Sequence, residues 1–265
     1  MTTDTPNPVA LVTGAARRVG RAIALELARQ GWDMALHYHT SKPEAQQAQA
    51  QIRALGRQAE VFCADLEDSD QCLRLLEICE ERMGPVTCLV NSASRFEYDG
   101  AHCVEASGLN AHMAINLTAP LLLSRQLFAT RKQQLPQGPT KPGERAVIIN
   151  LLDQKLFNPN PDFFSYTLSK AALEAATRLL AQAYAPWVRV VGLAPGITLP
   201  SGGQSEAQFR WAHSQTPLGC SSSLQDITQA VVYLVQAQAV TGTTLVVDGG
   251  QHLTPSTQDV MFKHA

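Results

Sequence analysis

Tyr166 and Lys170 stand four residues apart at the end of the stretch 153–170, DQKLFNPNPDFFSYTLSK, and Asp153 lies thirteen residues before the tyrosine. On a helix, side chains at i and i+4 share one face, so an ammonium would sit beside a phenol and lower its pKa. A phenol tuned in that way donates a proton near neutrality. Taken alone, a Tyr-x-x-x-Lys match reads equally as a solvated helical pair. The segments upstream of it separate the two readings.

An apolar run, Val9 to Val12, leads into Thr13-Gly14-Ala15-Ala16-Arg17-Arg18-Val19-Gly20 and then into an amphipathic pattern. A strand, a tight turn and a helix start aim free backbone N–H groups at one point, which suits a pyrophosphate. The spacing is TGxxxGxG, with Arg18 standing where the middle glycine would be. An ordinary strand-turn-helix with incidental glycines would look the same if this segment were all there was.

The elements that must position these groups alternate along the chain. Strands are expected near 9–13, 33–38, 60–63, 86–90, 146–151, 188–192 and 243–247, and helices near 19–30, 43–55, 69–83, 110–131, 164–184 and 224–236. That alternation implies an α/β fold: an open, doubly wound seven-stranded parallel sheet flanked by helices, its ligand site beyond the strand C-termini. Gln137 to Glu144, rich in Pro and Gly, is expected to be an exposed loop. With 265 residues, 45% hydrophobic and 17% charged, the chain 1–265 can bury one core as a single domain. A net charge of −2 offers no general attraction to nucleic acid or anionic membrane. The polar start of the chain and the absence of long apolar runs point to a soluble, cytoplasmic protein. Six cysteines without a CxxC pair read as reduced thiols, with neither a disulfide frame nor a metal site.

Over nearly its full length the chain resembles the short-chain dehydrogenase/reductases. The resemblance is carried in order by Thr13-Gly14 to Gly20, Asp65-Leu66, Asn91-Ser92-Ala93-Ser94, Asn116, Asp153, Tyr166, Lys170, Pro195-Gly196 and Val247-Asp248-Gly249-Gly250. It implies that Tyr166 transfers the proton, that Lys170 holds the nicotinamide ribose and lowers the tyrosine pKa, and that Asn116 supports a water relay to Lys170. Read from its own chemistry, Asn116 is equally a helix-bending residue with an internal hydrogen bond. The implied cofactor cradle comprises Gly14, Arg17, Arg18, Val19 and Gly20 at the turn, with Asp65 and Leu66 at the adenine edge. Asn91, Ser92 and Ala93, then Pro195, Gly196 and Thr198, complete it beside Tyr166 and Lys170.

Charge decides between the two nicotinamide dinucleotides. A fold preferring NAD places an acid after its second strand, whereas this chain has His37-Tyr38-His39-Thr40-Ser41 there. Arg17 and Arg18 offer guanidinium forks to a 2′-phosphate, so NADPH is the expected cofactor. Cations at a helix start also oppose its dipole unless an anion is bound.

Asp153 occupies the place where most family members carry a serine. A carboxylate repels a developing alkoxide but suits an amine or amidine edge and a proton relay to a ring nitrogen, which is C=N reduction. A turn-capping role is the alternative for this aspartate. Phe96, after Ser94-Arg95, would stack a flat heterocycle against the nicotinamide. Together these resemble the pteridine reductase branch, and the acid and the Gly250-Gln251-His252 ending resemble dihydromonapterin reductases. The branch implies a pterin pocket of Arg18, Ser94, Phe96, Asp153 and Tyr166. The branch's basic residue after His-Tyr-His is Thr40 here, and its second asparagine is Ser92. Segment 197–215, with Gly202-Gly203, Phe209 and Trp211, is expected to act as a substrate lid or to be a crossover connection. Helices 110–131 and 164–184 match those of family homotetramers. Two other readings stay open: a carbonyl or acyl-thioester reductase, and a non-catalytic NADPH-binding sensor.

Overall fold

The computed structural model describes residues 7–141, 143–200 and 204–263. Its strands are β1 (Val9–Val12), β2 (Asp33–Tyr38), β3 (Ala59–Cys63), β4 (Val86–Asn91), β5 (Ala146–Leu151), β6 (Val188–Pro195) and β7 (Thr244–Val247). They form one parallel sheet in the order β3-β2-β1-β4-β5-β6-β7. Strands covered on both faces are mostly apolar, and β1 (VALV) and β5 (AVIINL) are buried at every position, Asn150 of β5 with its amide hydrogen-bonded to Asn91 and Thr177.

The helices are α1 (Arg18–Arg29), α2 (Lys42–Ala54), α3 (Ser69–Met83), α4 (Ala106–Met113), α5 (Ala119–Gln134), α6 (Phe164–Tyr184), α7 (Glu206–Ser214) and α8 (Leu224–Gln236). Their apolar stripes divide the core into two layers. Ile23 and Leu27 of α1, Ile52 of α2 and Val231 of α8 pack on one face of the sheet. Leu75 and Leu76 of α3, Leu123 and Leu127 of α5 and Tyr184 of α6 pack on the other. The chain crosses from one side to the other between β1 and β4, so a crevice opens at the C-terminal ends of those strands. All the motifs of the sequence converge there.

Three boundaries differ from expectation, each for a local reason. The helix expected over 110–131 begins at Ala106 and passes through a π turn, Ala114–Thr118, before α5 runs on to Gln134. Asn116 lies inside that turn with its side chain bonded to residues outside the helix, the kind of insertion that widens a helical turn. β6 continues to Pro195 because Leu193, Ala194 and Pro195 pair with Leu245, Val246 and Val247. Segment 197–215 holds α7, started by a capping box in which Ser205 and Gln208 satisfy each other's backbone N–H. Gly202 and Gly203 lie outside the described residues, as does Pro142 in the 137–144 loop.

All six cysteines are free, with Cys72, Cys79 and Cys88 in the core and Cys63, Cys103 and Cys220 exposed. Among the described residues no helix is long and apolar enough to cross a membrane.

Candidate active site

The crevice is a cavity of about 690 Å³. Its first wall is the glycine turn. Gly14 has φ +66°, and a Cβ there would meet the Ala93 Cα at 3.0 Å; a Cβ on Gly20 would meet the Gly14 carbonyl oxygen at 2.4 Å. Only glycine lets helix, turn and β4 approach this closely. Arg18, at the place of the middle glycine, takes the left-handed conformation itself, with φ 51°. Its guanidinium donates to the Pro200 carbonyl at 2.9 Å, tying the turn to the start of the 197–215 segment. α1 has Arg17 at its N-cap, with no side-chain cap and no acid in its first turn, so its first N–H groups remain free for an anion. Arg17, Arg18 and Val19 line the cavity, with the two arginines exposed.

His37 braces this turn from below. The Gly14 N–H donates to His37 Nδ1 at 3.1 Å, and Nε2 lies 3.1 Å from the Ala64 carbonyl, so the ring is a neutral Nε2–H tautomer. Burial lowers its pKa to about 4. Both ring nitrogens are thus spent within the protein, although the ring borders the cavity. Tyr38, His39, Thr40 and Ser41 follow on the rim, and Asp65 and Leu66 face them from the end of β3. His39 Nε2 stands 3.9 Å from Asp65 Oδ2. Ser92 and Ala93 present their backbone N–H groups to Thr13 Oγ1 at 3.0 Å each, which holds the β4 turn against β1.

On the far wall, Tyr166 and Lys170 project from the first turns of α6, both buried. The Tyr166 hydroxyl donates to Asp153 Oδ2 at 2.8 Å, and Asp153 Oδ1 accepts from the Lys155 backbone N–H at 2.8 Å. Asp153 therefore caps its turn and holds the tyrosine together. The expected lowering of the tyrosine pKa by Lys170 is not what this arrangement does. Burial, then the Asp153 carboxylate, drive the Tyr166 pKa well above the usual phenol range. Burial likewise raises Asp153 and brings Lys170 down to about 8, against the pull of Asp153. The Lys170 ammonium donates to the Leu151 carbonyl at 2.7 Å and lies 5.8 Å from the centre of the Tyr166 ring.

Asn116 is fully buried and all its bonds are internal. Its Oδ1 accepts from the Arg95 N–H at 2.8 Å and the Ser94 hydroxyl at 3.2 Å, while Nδ2 donates to the Arg95 carbonyl at 3.0 Å and Ser169 Oγ at 2.9 Å. It pins the loop that carries Phe96. The Phe96 ring stacks on Phe163 at 4.2 Å, meets Tyr166 edge-on at 4.7 Å, and borders the cavity beside Ser94. Asn91 points away from the cavity, with Nδ2 donating to Asn150 Oδ1 at 2.8 Å inside the sheet. Pro195, Gly196 and Thr198 form the floor, where Thr198 Oγ1 is 2.7 Å from Ser222 Oγ. Phe209 faces His213 on α7, with ring centres 5.4 Å apart, and does not border the cavity. Sequence reasoning missed Lys155, Asp259, Val260 and Met261, which do border it.

A family model described as enoyl-(acyl carrier protein) reductase matches residues 14–252. The chain belongs to the short-chain dehydrogenase/reductase family. This short-chain reductase is 30% identical to pteridine reductase 1 of Leishmania tarentolae, over 96% of this chain and 99% of that one. It is 28% identical to the dihydromonapterin reductase of Klebsiella pneumoniae, over 96% and 100% of the two chains. A crystal structure of FolM alternative dihydrofolate reductase 1 from Brucella canis, complexed with NADP, superposes with a TM-score of 0.86 at 37% identity, covering 96% of this chain and 97% of that one.

Proposed function

We propose that this short-chain reductase uses NADPH to reduce a C=N bond of a pterin. The observation that carries the reading is the 2.8 Å hydrogen bond from Tyr166 to Asp153 in the cavity wall. A buried phenol held by a carboxylate is a proton donor with a second proton site behind it, which imine reduction at a ring nitrogen needs. The relatives named for pterin and dihydrofolate reduction support the substrate class.

The cradle fits the cofactor. The uncapped start of α1 would take the pyrophosphate, and Arg17, Arg18, Thr40 and Ser41 would surround a 2′-phosphate where an NAD-preferring site carries an acid. NADPH, when bound, supplies the hydride. The protein's own residues do the rest. Burial keeps Tyr166 protonated at neutral pH until the substrate nitrogen accepts its proton. Asp153 orients the hydroxyl through that hydrogen bond and would relay a proton from solvent back to the spent phenolate. Lys170, anchored on Leu151, would hold the nicotinamide ribose with its ammonium. Phe96, backed by Phe163, offers a flat face to the pterin. Ile197, Thr198, Leu199 and Gln204 border the cavity, and the segment 197–215 to which they belong would serve as its lid.

Assembly as a homotetramer through α5 and α6 belongs to the same proposal. Leu168 and Leu179 on α6 are exposed apolar side chains that such an interface would cover. Light scattering on the purified protein reads the mass directly.

Following NADPH oxidation with dihydrobiopterin, dihydromonapterin, dihydrofolate and a diketone side by side tests the activity. Turnover of one or more pterins well above the diketone is expected. Activity on the diketone alone would sink the pterin reading in favour of a carbonyl reductase, and none on any substrate would leave a cofactor-binding protein.

A further inference from the structure

Lys155 follows Asp153 by two residues in a polar turn, where a lysine normally reaches for solvent. Instead it is 3% exposed. Its ammonium donates to Asn160 Oδ1 at 2.6 Å and to Asp259 Oδ2 at 3.1 Å, and lies 5.5 Å from the centre of the Phe163 ring. Asp259 comes from the far end of the chain. Its other oxygen accepts from the Met261 N–H at 3.0 Å, and its own N–H donates to Asp162 Oδ2 at 2.6 Å. The short helical turn Val260–Phe262 is thereby fixed at its start. Phe262 closes its other end, stacked on Phe163 at 5.9 Å and edge-on to Tyr98 at 5.2 Å. Asp259, Val260 and Met261 border the same cavity as Asp153 and Tyr166, and the turn touches α7.

We propose that Lys155 and Asp259 are positioning residues of this site: their ion pair holds the C-terminal turn in place as a wall of the substrate cavity, and it sets the charge balance at Asp153. The inference rests on reading the cavity as the reductase site and names the residues that shape it. Val260 and Met261 supply the apolar surface of that wall. A buried ion pair is a poor source of stability, since two apolar residues of like size pack as well. The geometry gives this pair a different task, because its lysine is covalently next to the Asp153 turn and its aspartate anchors the wall. The groups facing Asp153 are Tyr166 and Lys170 from α6, Lys155 from its own turn and Asp259 from the C-terminal segment. Burial is the main cause of the raised Asp153 pKa; the Lys155 backbone N–H and the Tyr166 hydroxyl oppose it, and the charge of Asp259 raises it further while that of Lys155 lowers it.

The test compares Lys155→Met, Asp259→Asn and the conservative Lys155→Arg in the full chain. Titration of the Asp153 carboxyl by carbon NMR, assigned through Asp153→Asn, should move down in Asp259→Asn, up in Lys155→Met, and stay near the parent in Lys155→Arg. Opposite shifts from the two partners of one contact are not produced by loosened packing. Hydrogen exchange over 254–263 should quicken in Asp259→Asn and Lys155→Met, and the pterin KM should rise on the order of tenfold with NADPH affinity unchanged. Shifts in the same direction, or unchanged titration and exchange, would overturn the proposal even where the parent reduces pterins. A parent that reduces no pterin defeats the substrate reading instead, and titration and exchange, which need no turnover, then decide the ion pair by themselves.

Discussion

The Tyr166 hydroxyl donates to Asp153 Oδ2 at 2.8 Å, so in this protein the phenol's partner is an acid, with Lys170 engaged at the Leu151 carbonyl. Burial raises the pKa of both groups, and Tyr166 is raised far enough to keep its proton at neutral pH. A lysine brought down to about 8 stands behind them.

Tyr166→Phe removes the donor and retains the ring that meets Phe96. Turnover should fall by about 10²–10⁴-fold, while NADPH affinity measured by fluorescence titration stays within about threefold. Near-parent turnover would remove Tyr166 from the reaction.

Asp153→Ser replaces the carboxylate with a hydroxyl and deprives Tyr166 of its charged acceptor. Pterin kcat/KM should drop by at least about tenfold, with diketone reduction unchanged or raised. An equal loss on both substrates would assign Asp153 to folding of the 153–157 turn.

Asn116→Ala leaves the Arg95 backbone and Ser169 without their buried partner. A loss of about 2–4 kcal/mol in denaturant unfolding is expected, together with a raised pterin KM through the freed Phe96 loop. Unchanged stability would contradict its pinning role.

His37 has a folded pKa of about 4 against an ordinary 6.5, so the unfolded chain binds the extra proton first. Its contribution is complete above pH 6.5 and disappears as pH falls toward 4, on the order of 3 kcal/mol in all. Unfolding curves over that window should be steeper with pH in the parent than in His37→Gln. Parallel curves would refute the neutral buried tautomer.

Arg18→Gly removes a side chain from the left-handed conformation, and that relief roughly offsets glycine's greater freedom in the unfolded chain, leaving stability within about 1 kcal/mol. The KM for NADPH should rise about tenfold, with that for NADH nearly constant. Equal changes for both cofactors would place Arg18 away from the 2′-phosphate.

Much of the site was legible because its residues sit at strand ends in a chain whose strands alternate with helices. β1 and most of β5 read as apolar runs, and α6 as an apolar helical stripe carrying Tyr166 and Lys170 on one face. The π turn at Asn116 was not legible, since its cause is a set of hydrogen bonds to Arg95 and Ser169, distant in sequence. α7 had a readable start in Ser205 and Gln208, but its aromatic residues gave no sign of facing away from the cavity.

Local pattern by itself determined the parallel sheet, the glycine turn and the order of the chemical groups along the chain, because backbone sterics and apolar periodicity act over a few residues. Which protons those groups hold was decided only by the tertiary structure. Helical spacing put Lys170 next to Tyr166 and implied an acidified phenol, yet burial is a property of the whole packed molecule, and it raised Tyr166 and delivered Asp153 as its partner. Asp259 reached the same cavity from 104 residues beyond Lys155, a meeting that no local pattern encodes.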